Sequence, residues 1–151
     1  AIAEGTELGL GAKGIIDRGD LVSDDIIVDM VAARIDDNDC AKGVILDGFP
    51  RTVTQAYALD EMLSGKGLSL DCFIDIEVDE AALFARIENR AAKTGGARAD
   101  DNAATLRRRL AVYHERTAPL LPYYAKKGVL RSVDGMNSVD EVAAQIDAIL
   151  G

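Results

Sequence analysis

The chain of 151 residues has the length of one ordinary domain, and at 48% hydrophobic and 28% charged residues it can bury a core and stay soluble. Its formal net charge of −9 argues against binding to a long polyanion, and its apolar runs are far shorter than a membrane span. Two distant cysteines, Cys40 and Cys72, and no secretory-signal pattern lead us to expect a cytoplasmic protein without a disulfide framework or zinc site.

Helical and strand patterns alternate along the chain. Helical patterns cover residues 1–17, 24–36, 52–65, 79–92, 100–128 and 138–150, and short β-rich apolar runs predict strands at 43–47, 71–78 and 129–135. The predicted N-caps are Ser23, Asp79 and Ser138, the last in capping-box spacing with Glu141, and Pro119 and Pro122 predict a bend or a new start in the fifth helix. The alternation predicts an α/β fold, a parallel sheet with crossover helices.

The ends of the predicted strands indicate where a ligand would bind. In open parallel sheets, ligands bind beyond the carboxyl ends of the strands. Asp47 and Gly48 follow the first predicted strand, and Asp134 and Gly135 follow the last one. The stretch "VILDGFPRT" at residues 44–52 therefore places a carboxylate, a turn and the guanidinium of Arg51 at this edge of the sheet.

Three side chains near this turn each have two readings. Asp47 could hold Mg²⁺ through water, or it could simply end the strand and cap the turn. Arg51 could pair with a phosphate in bidentate fashion, or it could be an ordinary surface arginine. Gln55 could read a base edge with its amide, but its spacing from Thr52 is also that of a capping box, and spacing alone favours the cap.

Arginine is concentrated in one part of this acidic chain. Seven of the eleven arginines lie between Arg86 and Arg116, which indicates either a small anionic ligand or a solvated helix face. Arg86 and Arg90 share one face of a helix. Arg107, Arg108 and Arg109 cannot all face one ligand, because successive helical residues are about 100° apart. We expect the single histidine, His114, to be a packed or surface residue rather than a general base.

Taken together and in order, these motifs are specific. "LDGFPRTVTQA", the paired-arginine helix, "RADDN", "RRRLAVYHERTAPLLPYY" and "VDG" resemble adenylate kinase over essentially the whole chain. The resemblance implies a single domain with a P-loop-kinase-like core, in which residues 1–36 form the AMP-binding helices and residues 91–98 form a short lid. It also implies the reaction ATP + AMP = 2 ADP with Mg²⁺, in a cytoplasmic monomer that has no nucleic acid or membrane partner.

The resemblance assigns roles to particular residues. It implies that Asp20, Leu21 and Val22 line the adenine of AMP and that Gln55 bonds its edge. It implies that the turn of Gly48, Phe49, Pro50 and Arg51 clasps AMP, with Arg51 on the phosphate. It places Arg86 and Arg90 around the ATP phosphates, and Arg98 and Arg109 at AMP and the transferring phosphoryl group. It also places Gly135 at the ATP adenine and Asp47 near Mg²⁺.

One departure from the family pattern concerns the phosphates. Members of the family begin with a strand and a glycine-rich loop of the kind G-x-x-x-x-G-K, and these 151 residues contain no such motif. We expect an incomplete sequence whose core lacks its first strand or strands, so that this chain alone is destabilised and has little or no kinase activity. The alternatives are a UMP/CMP-type kinase, a non-catalytic nucleotide-binding fragment, or a fragment that binds nothing.

Overall fold

The computed structural model describes residues 23–85 and 103–151, which belong to two compact units, Ala1–Leu70 and Asp71–Gly151. The predicted helix at residues 1–17, the lid at 91–98 and the end of the helix at 79–92 lie outside the described residues. Within the described ranges, no helix is both long and apolar enough to cross a membrane.

The first unit is helical where it is described. Helix α1 covers Asp24–Ile35, a short 3-10 helix covers Asn38–Cys40, and helix α2 covers Val53–Gly65. Ser23 is the N-cap of α1 as predicted, although its side chain makes no capping hydrogen bond. Two acidic residues in the first turn of α1, Asp24 and Asp25, stabilise the positive end of the helix dipole.

Helix α2 carries the core of this unit. Ala56 and Leu59 are fully buried and Leu63 is 6% exposed, so that one stripe of α2 faces inward, and α1 packs against this helix. Beyond the ends of the two helices, Lys66 Nζ lies 2.5 Å from an oxygen of Asp36. Because Asp36 is largely exposed, this ion pair contributes less to stability than the buried stripe.

The turn after α1 is held by Arg34. Its Nη1 donates to Asp39 Oδ1 at 2.6 Å and to Asp37 Oδ2 at 3.2 Å. The hydrogen bond from Arg34 holds the pKa of the Asp39 carboxyl below its ordinary value. This exposed cluster fixes the end of α1 in a region that contributes no buried residue.

The predicted strand at residues 43–47 is wrong. The described part of the first unit contains no strand, and the side chains of Val44 and Ile45 are 42% and 84% exposed. An apolar run forms a strand only when a neighbouring strand pairs with its backbone groups and covers its side chains. Residues 43–47 have no such partner within the described ranges, and the run has no regular secondary structure.

The second unit contains the two strands that the structure describes. Strand β1 (Phe73–Glu77) pairs in parallel with β2 (Leu130–Asp134), with Phe73 opposite Leu130 and Glu77 opposite Asp134. The described part of the chain between them is largely helical, as the predicted crossover requires. The α/β fold with a small parallel sheet is therefore confirmed, and the strands predicted at 71–78 and 129–135 are present with shorter bounds.

Three helices of this unit begin at predicted caps or prolines, at Asp79, Pro119 and Ser138. Helix α3 begins at residue 80 and is described to residue 85, with the Asp79 carboxylate accepting from Ala81 N at 2.7 Å. Helix α4 covers Ala103–Val112 and runs into a π-helical turn, Tyr113–Thr117. Pro119 is the N-cap of helix α5, Leu120–Lys126, which confirms the predicted new start, and helix α6 covers Val139–Leu150.

Tyr124 is central to the core of the second unit. The side chains of Leu120 and Tyr124 are fully buried, and Val133 of β2 is 3% exposed. The ring of Tyr124 stacks on Phe73 of β1 at a centroid distance of 4.4 Å. Helix α5 is thereby fixed to β1 through an aromatic pair.

Candidate functional site

A tight turn precedes helix α2. Gly48 has a φ of +72°, a conformation that glycine adopts without the steric cost that a Cβ brings. Arg51 Nε donates to the backbone oxygen of Gly48 at 2.7 Å, and the Phe49–Pro50 peptide bond is cis. A Cβ on Gly48 would lie 2.9 Å from Arg51 Nη2. The absence of a side chain at Gly48 therefore makes room for the guanidinium to fold back over the turn.

The first turn of α2 holds the Gln55 side chain. Thr52 is the N-cap, and its Oγ1 accepts from Gln55 N at 3.2 Å. Gln55 Oε1 accepts from the backbone N–H of Arg51 at 2.8 Å, and Gln55 Nε2 donates to Asp24 Oδ1 at 2.8 Å. The Thr52 cap is thus confirmed. A capping box would require the Gln55 side chain to accept from the backbone N–H of Thr52, but it accepts from that of Arg51, one residue earlier.

Asp47 is exposed beside this turn. Its carboxylate supplies the oxygen ligands that Mg²⁺ prefers. Among the described residues, no group of three or more acidic, histidine or cysteine side chains could hold a metal ion together. A single exposed carboxylate suits a hydrated Mg²⁺ better than an ion enclosed by protein ligands.

Two arginines of the run at residues 107–109 have different surroundings. Arg109 lies exposed in the last turn of α4. The guanidinium carbon of Arg107 lies 5.7 Å from the ring centre of Phe84 on α3, which is a cation–π contact and gives this arginine a structural role. His114 is exposed and its Nε2 lies 2.5 Å from Glu80 Oε1, so the prediction of a surface histidine is confirmed.

Gly135 follows β2 and approaches β1 closely. Its backbone N–H donates to Glu77 O at 2.8 Å. A Cβ at this position would lie 2.6 Å from Ile76 Cγ2, 2.7 Å from Val78 Cγ1 and 2.8 Å from Glu77 O. Only glycine fits here without moving backbone, so the position has a structural requirement besides the expected nucleotide contact.

The other predicted site residues lie outside the described residues: Asp20, Leu21, Val22, Arg86, Arg90 and Arg98. Of those described, the structure brings Gly48, Arg51 and Gln55 together in the first unit. The structure also places Asp24 in contact with Gln55, which the sequence analysis did not predict. The two are 31 positions apart, and neither spacing nor composition signals a contact of this kind.

Comparison with known proteins gives a consistent result. A family model described as adenylate kinase matches residues 1–129. A protein named adenylate kinase from Parvibaculum lavamentivorans is 57% identical over 152 aligned residues, which cover 100% of this chain and 74% of that protein. The adenylate kinases of Rhizobium meliloti and Sinorhizobium medicae are each 54% identical over 99% of this chain and 80% of their own length.

The α/β fold and these relatives define the class of protein as a phosphotransferase enzyme that acts as a nucleoside monophosphate kinase. The chain belongs to the adenylate kinase family. The family predicted from the sequence is therefore confirmed.

Proposed function

We propose that the protein transfers a phosphoryl group between ATP and AMP to give two ADP, and that the turn of residues 48–51 with the start of α2 holds AMP. The observation that carries this proposal is the turn itself. Arg51 folds back onto Gly48 at 2.7 Å, and the buried Gln55 amide lies directly beyond it. The turn and the start of α2 thus hold the Arg51 guanidinium and the Gln55 amide in fixed orientations. A guanidinium is suited to bind a phosphate, and an amide is suited to bind a base.

Arg51 would bind the phosphate of AMP. A guanidinium stays charged at all working pH values and its planar fork matches phosphate oxygens. The bond to Gly48 O restricts the rotamers of Arg51 before any ligand arrives. Less side-chain entropy is then lost on binding, which favours affinity.

The remaining arginines would serve the transferred phosphoryl group. Phosphoryl transfer needs positioning and charge neutralisation more than a protein base. We assign this task to Arg86, Arg90, Arg98 and Arg109. We assign the ATP adenine to the backbone of Gly135 and the AMP adenine to Asp20, Leu21, Val22 and Gln55.

Mg²⁺ would accompany the nucleotide phosphates. When bound, it neutralises charge on the transferring group. Asp47 would orient it through a water molecule. The partners are then ATP, AMP and ADP only, and we propose a cytoplasmic monomer whose domain comprises AMP-binding helices, a short lid at 91–98 and a core.

The rival within the same class is a UMP/CMP-type kinase. Thr52 and Gln55 after the "DGFPR" turn favour adenine. Calorimetric titration of the chain with AMP, UMP and CMP separates the two readings. We expect AMP to bind most tightly, and a preference for UMP or CMP would replace adenylate kinase by its rival.

Removal of the Arg51 side chain tests the phosphate contact. We expect R51A to weaken AMP binding roughly 10- to 100-fold, because a charge-assisted hydrogen bond is lost. The matched control is R131A, since Arg131 Nη1 also donates to a backbone oxygen three residues back, that of Gly128, at 3.0 Å. Equal AMP affinities for R51A and R131A would contradict the assignment.

A further inference from the structure

We propose that Asp24 is a positioning residue that sets the base preference of the site by fixing which way the Gln55 side-chain amide faces. This inference rests on the proposed function, because it takes Gln55 as the residue that meets the base of AMP. It goes beyond that function in naming what orients the amide and which bases the orientation rejects.

The amide lies between one acceptor and one donor. Asp24 Oδ1 is 2.8 Å from Gln55 Nε2, and the backbone N of Arg51 is 2.8 Å from Gln55 Oε1. An ionised carboxylate only accepts hydrogen bonds, and a backbone N–H only donates them. If the amide were flipped, Gln55 Oε1 would face the Asp24 carboxylate and Gln55 Nε2 would face the Arg51 N–H. Both hydrogen bonds would then be lost.

Burial makes this reversal costly. Gln55 is 7% exposed, so water has little access to groups that lose their partners. A buried polar group without a partner loses the full free energy of its hydration. Asp24 is half-buried in the first turn of α1, which holds its carboxylate at the amide. The amide is therefore held in one orientation before a ligand binds.

The fixed orientation leaves a defined pattern for the ligand. The Nε2 amide has a second N–H beyond the one given to Asp24, and Oε1 has a second lone pair beyond the one given to Arg51. A donor beside an acceptor matches adenine, whose 6-amino group donates next to a ring nitrogen that accepts. A 6-oxo purine presents an acceptor in place of the 6-amino donor, so its oxygen would face Oε1.

The test compares two nucleotides that differ at this edge only in the 6-substituent and its ring proton. Calorimetry on the full chain measures the dissociation constants of AMP and inosine monophosphate. We expect the unaltered chain to prefer AMP roughly 10- to 100-fold, the range typical of a bidentate amide–base pair. The ratio of the two dissociation constants is insensitive to changes in phosphate binding, because both nucleotides carry the same phosphate group.

The variant D24N keeps the shape of the side chain but can donate as well as accept, so it removes one of the two constraints on the orientation of the Gln55 amide and leaves that of the Arg51 N–H. We expect D24N to reduce the preference for AMP about tenfold, which is the loss of one charge-assisted hydrogen bond. The control D25N removes the same charge from the same turn and should leave the ratio unchanged. D24E keeps an acceptor-only carboxylate at this position, and we expect its ratio of dissociation constants to stay within about threefold of that of the unaltered chain. If D24N does not fold, D24E is the variant that tests the proposal.

Three results would overturn the proposal. They are equal binding of the two nucleotides by the unaltered chain, the same ratio in D24N as in D25N, and loss of the preference in D24E. Any of these would leave AMP binding, and with it the proposed function, in place. If the unaltered chain binds neither nucleotide, the proposed function fails and this inference fails with it.

Discussion

At the scale of single residues, two glycines of the proposed site are required for different physical reasons. Gly48 needs glycine because its backbone has φ +72° and because Arg51 occupies the space of a Cβ. Gly135 has no unusual φ, but its Cβ would overlap the backbone oxygen of Glu77 and two β1-side methyl groups. The first glycine serves the turn before α2, and the second serves the packing of β2 against β1.

The substitution G135A tests the packing requirement. We expect it to lower the free energy of unfolding by about 1–3 kcal/mol, the cost typical of overpacking, since the contact includes backbone that cannot rotate away. Urea denaturation measures the change. The control is G65A in the last turn of α2, where nothing lies within 4 Å of the added methyl group. G65A should be neutral or slightly stabilising, and a G135A protein as stable as G65A would contradict the close approach.

At the scale of elements, helix starts are specified locally. Ser138 Oγ accepts from Glu141 N at 3.3 Å and Glu141 Oε2 accepts from Ser138 N at 2.9 Å, so the predicted capping box of α6 is confirmed. Ser138 Oγ also donates to Glu141 Oε2 at 2.7 Å, and this bond together with that from Ser138 N holds the pKa of the Glu141 carboxyl below its ordinary value of 4.5. A lowered pKa in the folded state means that the ionised carboxylate stabilises the fold above pH 4.5. This contribution is lost as the pH falls through the lower, folded-state pKa.

The substitution S138A tests this cap. We expect a loss of about 1 kcal/mol of stability at pH 7 from the missing capping hydrogen bond, and a smaller loss once Glu141 is protonated. Thermal unfolding at pH 7 and pH 3 measures both values. E141Q keeps the shape and the acceptor of the box without the charge, so its stability relative to the unaltered chain should improve as the pH falls. If the difference in stability between E141Q and the unaltered chain does not change with pH, the proposed role of the Glu141 carboxylate is contradicted.

The elements also show what the sequence could and could not predict. Caps, prolines and helical periodicity act within a few residues, so Ser23, Asp79, Pro119 and Ser138 were placed correctly from sequence. The strand at 43–47 was wrong because a strand depends on a neighbour, which the apolar run itself does not specify. The Asp24–Gln55 bond was missed for the same reason, since it joins helices far apart in sequence. At the site, the sequence indicated the residue types, while their mutual orientation came only from the structure.

At the scale of the whole molecule, several large apolar side chains of the described residues are exposed. Seven apolar residues in the described ranges are buried, while Val44, Ile45, Ile76 and Val78 are between 38% and 84% exposed. The sheet has two strands where described, and parallel sheets ordinarily need cover on both faces. Exposed apolar surface of this kind lowers the net stability of a domain.

We therefore expect the 151-residue chain, expressed as it stands, to be only marginally stable and to have little or no kinase activity. Urea unfolding should show a low midpoint, and binding of a hydrophobic dye should be strong in buffer alone. A coupled assay of ADP formation from ATP and AMP measures the activity. The adenylate kinase of Parvibaculum lavamentivorans, 74% of which this chain covers, serves as the control. Turnover by the 151 residues alone that equals this control would refute the expectation.

The parallel pairing of β1 with β2 has a consequence for the folding kinetics. Phe73 meets Leu130, so the chain between them must close into a long loop before the first ladder bond forms. Helices α1 and α2 are joined by residues 36–52, a much shorter loop than the one between the strands, and more local contacts form on faster timescales. Refolding should therefore show helical signal early and the Phe73–Tyr124 stack late, which makes closure of the β1–β2 loop the slow step in refolding.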